Sequence, residues 1–108
     1  MTDLEILTET KKILNDESKW TTGAFARNIN NEIVDIRNEQ SVKFCLLGAI
    51  LKAKSSLGPF LPPIIRKLIK NKTQDEQITI TEYNDASTYQ QVIELLNEAI
   101  QLLSLEKS

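Results

Sequence analysis

Residues 44–51 read FCLLGAIL, eight positions in a row without a charged side chain. A helix through this run is apolar on every side and has to be covered on every side. In a chain of 108 residues that need sets the architecture, with this run as the central helix and the other elements as its cover. The helix is expected over about residues 40–54, capped by Asn38 or Ser41. Cys45, Ala49 and Ala53 fall at i, i+4 and i+8, a stripe of small side chains flanked by Gly48. Glycine inside a helix costs about 1 kcal/mol relative to alanine. Its presence here predicts a helix or strand crossing close over Gly48.

The cover is legible from spacing. DLEILTETKKILND places Leu4, Leu7 and Leu14, with Ile6 and Ile13 close by, on one face of a helix over about 3–16, with Asp3 at its N-cap. Pro62 and Pro63 suit the first turn of a helix whose apolar stripe is Ile64, Ile65, Leu68 and Ile69. NDASTYQQVIELLNEAIQLL reads as the last helix, with Ser87 and Gln90 as a capping box. Its inner stripe is Val92, Ile93, Leu96, Ala99, Ile100 and Leu103. In TTGAFARNINNEIVDI, Phe25, Arg27 and Ile29 alternate with smaller residues before an Asn-rich turn, which predicts a short β-hairpin. A helical turn over 21–28 is the competing reading. The alternating, β-branched QITITEY predicts one further short strand over about 77–82. The fold class is therefore α+β, mainly helical: about four helices around a central buried helix, with a hairpin and a strand. Residues 1–108 are expected to form a single globular domain with a short flexible C-terminal end over about 104–108.

Composition removes several function classes. The chain has no histidine, the commonest general base and metal ligand. One cysteine cannot form an internal disulfide or a zinc site. No EF-hand loop and no glycine-rich phosphate loop is present. No cofactor or metal is expected. The acidic start MTDLEILTETKK is unlike a signal peptide, and no apolar run approaches the roughly 20 residues that span a bilayer. A cytoplasmic location is expected, with no membrane partner. Cys45 has no histidine to activate it and lies among Phe44, Leu46 and Leu47, which favours packing over nucleophilic chemistry.

Two groups remain as candidate sites. Trp20, Arg27, Asn84 and Asp85 are the singular polar or aromatic residues. If Arg27 is buried it needs an acidic partner, for which Asp85 or Asp35 is available. Asn84 and Asp85 lie where the expected strand meets the last helix, as a ligand site or as local caps. The second group is basic. Residues 40–74 hold seven bases and no acid, whereas residues 75–108 hold seven acids and one base. Lys52, Lys54, Arg66, Lys67, Lys70 and Lys72 make a patch that would suit a phosphate or nucleic acid. The overall net charge of −2 and the single nearby aromatic, Phe60, argue instead for a basic face that balances the acidic helix.

The ordered set Trp20, Gly23-Ala24-x-Ala26-Arg27, Phe44-Cys45-x-x-Gly48-Ala49 and Asn84-Asp85 resembles a family of small bacterial and phage-associated proteins. That family is catalogued only as a domain of unknown function. The resemblance covers about residues 4–100 and implies that Trp20, Arg27, Cys45, Gly48, Asn84 and Asp85 form one cluster. The favoured function is a small non-enzymatic binding or interaction protein of phage or mobile-element origin, taking a host protein or a small anionic ligand. The alternatives are a small enzyme using Asp85 as base with Arg27 and Asn84, and nucleic-acid binding through Lys52–Lys72. The oligomeric state is left open.

Overall fold

A computed structural model describes residues 2–54 and 61–106. Five helices and one two-stranded antiparallel sheet lie among them: α1 (Asp3–Ile13), β1 (Ala26–Arg27), β2 (Lys43–Phe44), α2 (Leu46–Lys54), α3 (Pro63–Thr73), α4 (Ile80–Asp85) and α5 (Tyr89–Glu106). A 3-10 turn, Glu17–Lys19, follows α1. The architecture is the expected mainly helical α+β. Phe60 and residues 107–108 lie outside the described residues, and α5 continues through 104–106.

The apolar run does sit at the centre. Leu46, Ala49 and Ile50 are wholly buried in a core they share with Leu7 and Leu14 of the α1 segment, Ile65 of α3 and Val92, Leu95 and Leu96 of α5. α1 packs on α2 and α5, while α4 bridges α2 and α3. The helix begins at Leu46 rather than near residue 40, because residues 43–44 are spent as a strand. Asn38 and Ser41 do not cap it. Asn38 Oδ1 accepts from the Gln40 N–H at 2.8 Å, and Ser41 Oγ donates to the Asn38 carbonyl at 2.7 Å.

Other helix starts move by a residue for the same kind of reason. α1 is capped by Thr2, not Asp3, in a capping box with Glu5. α5 is boxed by Thr88 and Gln91 rather than Ser87 and Gln90: the Gln91 N–H donates to Thr88 Oγ1, and the Thr88 N–H to Gln91 Oε1. Ser87 Oγ instead donates to the Tyr83 carbonyl at 2.6 Å. α3 starts as expected, with Pro62 at the N-cap and Pro63 inside the first turn.

The strand expected over 77–82 is a correction. Thr79 and Glu82 form a capping box that opens α4, and Ile80 and Tyr83, three positions apart, both enter the core. Alternation of β-branched residues is outweighed here by a helix cap and by burial at helical spacing. The hairpin is half right. The Asn-rich turn exists, with Asn31 at φ 66°, and the chain returns so that Ile33 lies opposite Arg27. The principal partner of β1 is distant, however: Ala26 pairs with Phe44 and Arg27 with Lys43.

Candidate functional site

Asn84, at the end of α4, is wholly buried and joins three parts of the chain. Its Oδ1 accepts from the Trp20 indole N–H at 2.7 Å and from the Leu46 N–H at 3.0 Å. Its Nδ2 donates to the Thr21 carbonyl at 3.1 Å and to Asp85 Oδ1 at 3.2 Å. Two donors and two lone pairs are all a carboxamide has, so its hydrogen-bonding capacity is spent. The bond to Leu46 satisfies one of the unpaired N–H groups at the start of α2. Asn84 therefore caps a helix 38 positions away, not the one that follows it in sequence.

Asp85 is exposed, and its Oδ1 also accepts from the Gly23 N–H at 3.1 Å. Gly23 has φ +78°, a left-handed conformation that a side chain would strain. Arg27 is half-buried on the other side of the same loop. Its Nε donates to Thr21 Oγ1 at 3.0 Å, Nη2 to the Thr22 carbonyl at 3.3 Å and Nη1 to the Asn31 carbonyl at 3.0 Å. The acidic partners suggested for it do not engage it: among the described residues Arg27 makes no ion pair. Asp35 is held by Arg37, with Nε–Oδ1 at 3.0 Å, which keeps its carboxyl below the usual range. Trp20, Arg27, Asn84 and Asp85 thus meet around Thr21–Gly23, and every bond described goes to backbone, to the Thr21 hydroxyl or to another member of the cluster.

Cys45 and Gly48 flank the start of α2 that Asn84 caps. Cys45 is 1% exposed, and its carbonyl accepts the first helical bond of α2, from the Ala49 N–H. Its Sγ accepts from the Gly48 N–H at 3.3 Å, so the thiol serves as a helix cap. Burial pushes the thiol pKa up, the direction that disfavours a nucleophile. At Gly48 the close crossing expected from sequence is made by residue 25: a Cβ there would lie 2.1 Å from the Phe25 carbonyl oxygen.

The basic residues divide. Lys72 pairs with Glu98 of α5 at 2.9 Å, tying α3 to the acidic helix and raising the lysine pKa. Lys52, Arg66 and Lys67 are exposed, and Lys54 and Lys70 are half-buried.

One surface feature escaped sequence reasoning. Of the six large apolar side chains exposed among the described residues, four belong to residues 25–42: Phe25 (46%), Ile29 (83%), Ile33 (68%) and Val42 (43%). Phe25, Ile33, Val34, Ile36 and Leu51 line a groove of about 470 Å³. Beside it runs a sheet edge that is unpaired among the described residues. The Val34 N–H bonds the Ala26 carbonyl and the Asn28 N–H the Glu32 carbonyl, so Ile33 is a non-hydrogen-bonded pair residue. Its own N–H and C=O point away from β1. The alternation of Phe25, Arg27 and Ile29 predicted a hairpin but not that Phe25 and Ile33 would stay outside the core.

No group of histidine, cysteine and carboxylate side chains among the described residues is placed to hold a metal ion, and no helix among them is long and apolar enough to cross a membrane. A family described as a family of unknown function matches residues 1–102. No curated protein and no solved structure matches the chain.

Proposed function

The chain belongs to DUF6197, a family of unknown function, and we propose that it is a small non-enzymatic binding protein that takes a protein partner on the apolar face of residues 25–42. The exposure of Phe25 and Ile33, which line one groove with Val34, Ile36 and Leu51, carries this reading, and Ile29 and Val42 are exposed in the same segment. Scattered apolar residues on a surface need no explanation, but a grouped set beside a groove marks an interaction site. The edge at Ile33 suits an extended segment of the partner, which would add a strand there and place apolar side chains in the groove. The network around Asn84 supports the same reading in a structural role, since with Asp85 it ties Trp20, Thr21 and Gly23, the stretch that leads into residues 25–42, to α2 and α4 and so lowers the ordering cost of binding.

A small anion at Arg27 has less support, because that guanidinium is already bonded to Thr21, Thr22 and Asn31. Catalysis by Asp85 with Arg27 and Asn84 has less support as well, since Asn84 has no hydrogen-bonding atom left for a reacting group. Nucleic-acid binding loses Lys72 to Glu98. A buried, unpaired cysteine fits a reducing cytoplasm. The resemblance to bacterial and phage-associated proteins supports a host protein as the partner.

The test compares partner retention by wild-type protein with that of a Phe25→Ser/Ile33→Asp variant and a Leu102→Ser/Leu105→Ser control. The proposal expects the first variant to lose a partner that wild type and control both keep. Retention by the face variant, or equal loss from both variants, overturns it.

A further inference from the structure

A second feature lies on the opposite chemistry, in a polar cleft where the ends of α3 and α4 meet the first turns of α5. It measures about 370 Å³ and is lined by Lys72, Thr73, Tyr83, Ser87, Gln91 and Glu94. We infer that this cleft binds a small zwitterion of the amino-acid type, its carboxylate received by Tyr83 and Lys72 and its ammonium by Glu94.

Tyr83 is the first observation. The residue is 8% exposed and packs in the core, yet its hydroxyl makes no hydrogen bond among the described residues. Among the described residues no side-chain nitrogen or oxygen sealed from solvent lacks a partner. The hydroxyl therefore opens onto space, and the cleft is the space that Tyr83 lines. Phenylalanine would supply the same packing, so the hydroxyl is a polar group held at the wall of a cleft without a structural use.

Charge is the second. Lys72 is held by Glu98 at 2.9 Å, which fixes the ammonium and leaves two of its three donors. Gln91 has its Oε1 committed to the Thr88 N–H, leaving its amide donors. Glu94 makes no ion pair among the described residues and has only a 3.4 Å bond from Gln90 Nε2. The site thus offers several donors, and the carboxylates of Glu94 and Glu98 both act on the one ammonium of Lys72, which leaves the cleft net negative by one charge. Because Glu98 cancels Lys72, a free anion meets the net negative charge of Glu94. A simple cation satisfies Glu94 but leaves the donors of Tyr83 and Lys72 unused. A zwitterion satisfies both halves. The volume lies at the small end of the range for ligand sites, roughly 300–1,000 Å³, which suits an amino acid better than a nucleotide.

The test titrates isotope-labelled protein with each proteinogenic amino acid, and with acetate, methylammonium and inorganic phosphate as separate probes. The inference expects at least one amino acid to shift the amides of Thr73, Ser87 and Gln91 saturably. Acetate, methylammonium and phosphate should each bind at least about tenfold more weakly. Tyr83→Phe should weaken binding by about three- to tenfold with an unchanged melting temperature, the value of one hydrogen bond. Glu94→Gln should erase the preference for the amino acid over acetate. Absence of saturation by any amino acid at about 10 mM, binding of acetate or phosphate as tight as the amino acid, or wild-type affinity in both variants overturns the inference. The cleft shares no residue with the apolar face at Ile33, so either reading can fail without the other.

Discussion

The Trp20 indole N–H donates to Asn84 Oδ1 across 2.7 Å, joining residues 64 positions apart. The same oxygen caps α2 through the Leu46 N–H, so one carboxamide ties the segment after α1 to the start of α2 and the end of α4. Neutral hydrogen bonds are each worth about 1 kcal/mol net, but a buried group stripped of its partner costs about 1–3 kcal/mol. Asn84→Ala strips the Trp20 N–H, the Leu46 N–H and the Thr21 carbonyl at once. We expect a loss of about 3 kcal/mol or more in urea unfolding. Trp20→Phe should also destabilise. In the double variant the two losses should fall short of additivity by about 1 kcal/mol, because the shared bond is lost only once.

Gly48→Ala is the sharpest backbone test. At an unobstructed helix position the change would add about 1 kcal/mol of stability. Here the new methyl would stand 2.1 Å from the Phe25 carbonyl oxygen, a backbone atom that cannot rotate away. The expected result is destabilisation of about 3 kcal/mol or failure to fold. A melting temperature at or above that of wild type would show that residue 25 does not cross there.

Cys45 makes a prediction about pH. Burial raises its thiol pKa above the ordinary value near 9.0. A thiol that stays protonated in the folded chain while it ionises in the unfolded chain contributes stability below the unfolded pKa. That contribution fades as pH rises through the folded pKa. Unfolding free energy should therefore fall as pH is raised above about 9. The fall should be smaller in Cys45→Ala over the same range. A disulfide reagent should react with native Cys45 much more slowly than with the urea-unfolded chain.

Arg27 tests whether the loop is held by geometry or by charge. Arg27→Lys keeps the charge but offers one compact ammonium for three acceptors that a planar guanidinium reaches together. Lysine should recover less than half of the stability lost in Arg27→Met, a loss of about 2 kcal/mol. Full rescue by lysine would mean that the three bonds are dispensable.

Lys72 should matter little to stability. Its pair with Glu98 is partly exposed on both sides, and such pairs are worth about 0–1 kcal/mol. Lys72→Met should shift unfolding by less than about 1 kcal/mol, and added salt should shrink the difference further.

Parts of this structure were written locally. The stripes of α1, α3 and α5 follow from residue spacing, because a helix buries every third or fourth residue whatever lies opposite. The central position of residues 46–54 follows from an apolar run with no polar side to expose. The close approach at Gly48 was legible for a similar reason, since a helical glycine carries a propensity cost that packing has to offset. Local rules failed where two of them competed. Residues 77–82 alternate like a strand, but Thr79 and Glu82 cap a helix and Ile80 and Tyr83 are buried at helical spacing.

What the sequence determined by itself, then, is the class of fold, the central helix and the inert setting of Cys45, because each depends on a residue and its near neighbours. The tertiary structure decided the roles of Asn84 and Arg27, the pairing of Ala26 with Phe44 and the outward turn of Ile33. A hydrogen bond between positions 64 apart leaves no local periodicity to read. An apolar residue looks the same in sequence whether the chain brings a partner to its face or leaves that face open. That difference is made only when the backbone is placed.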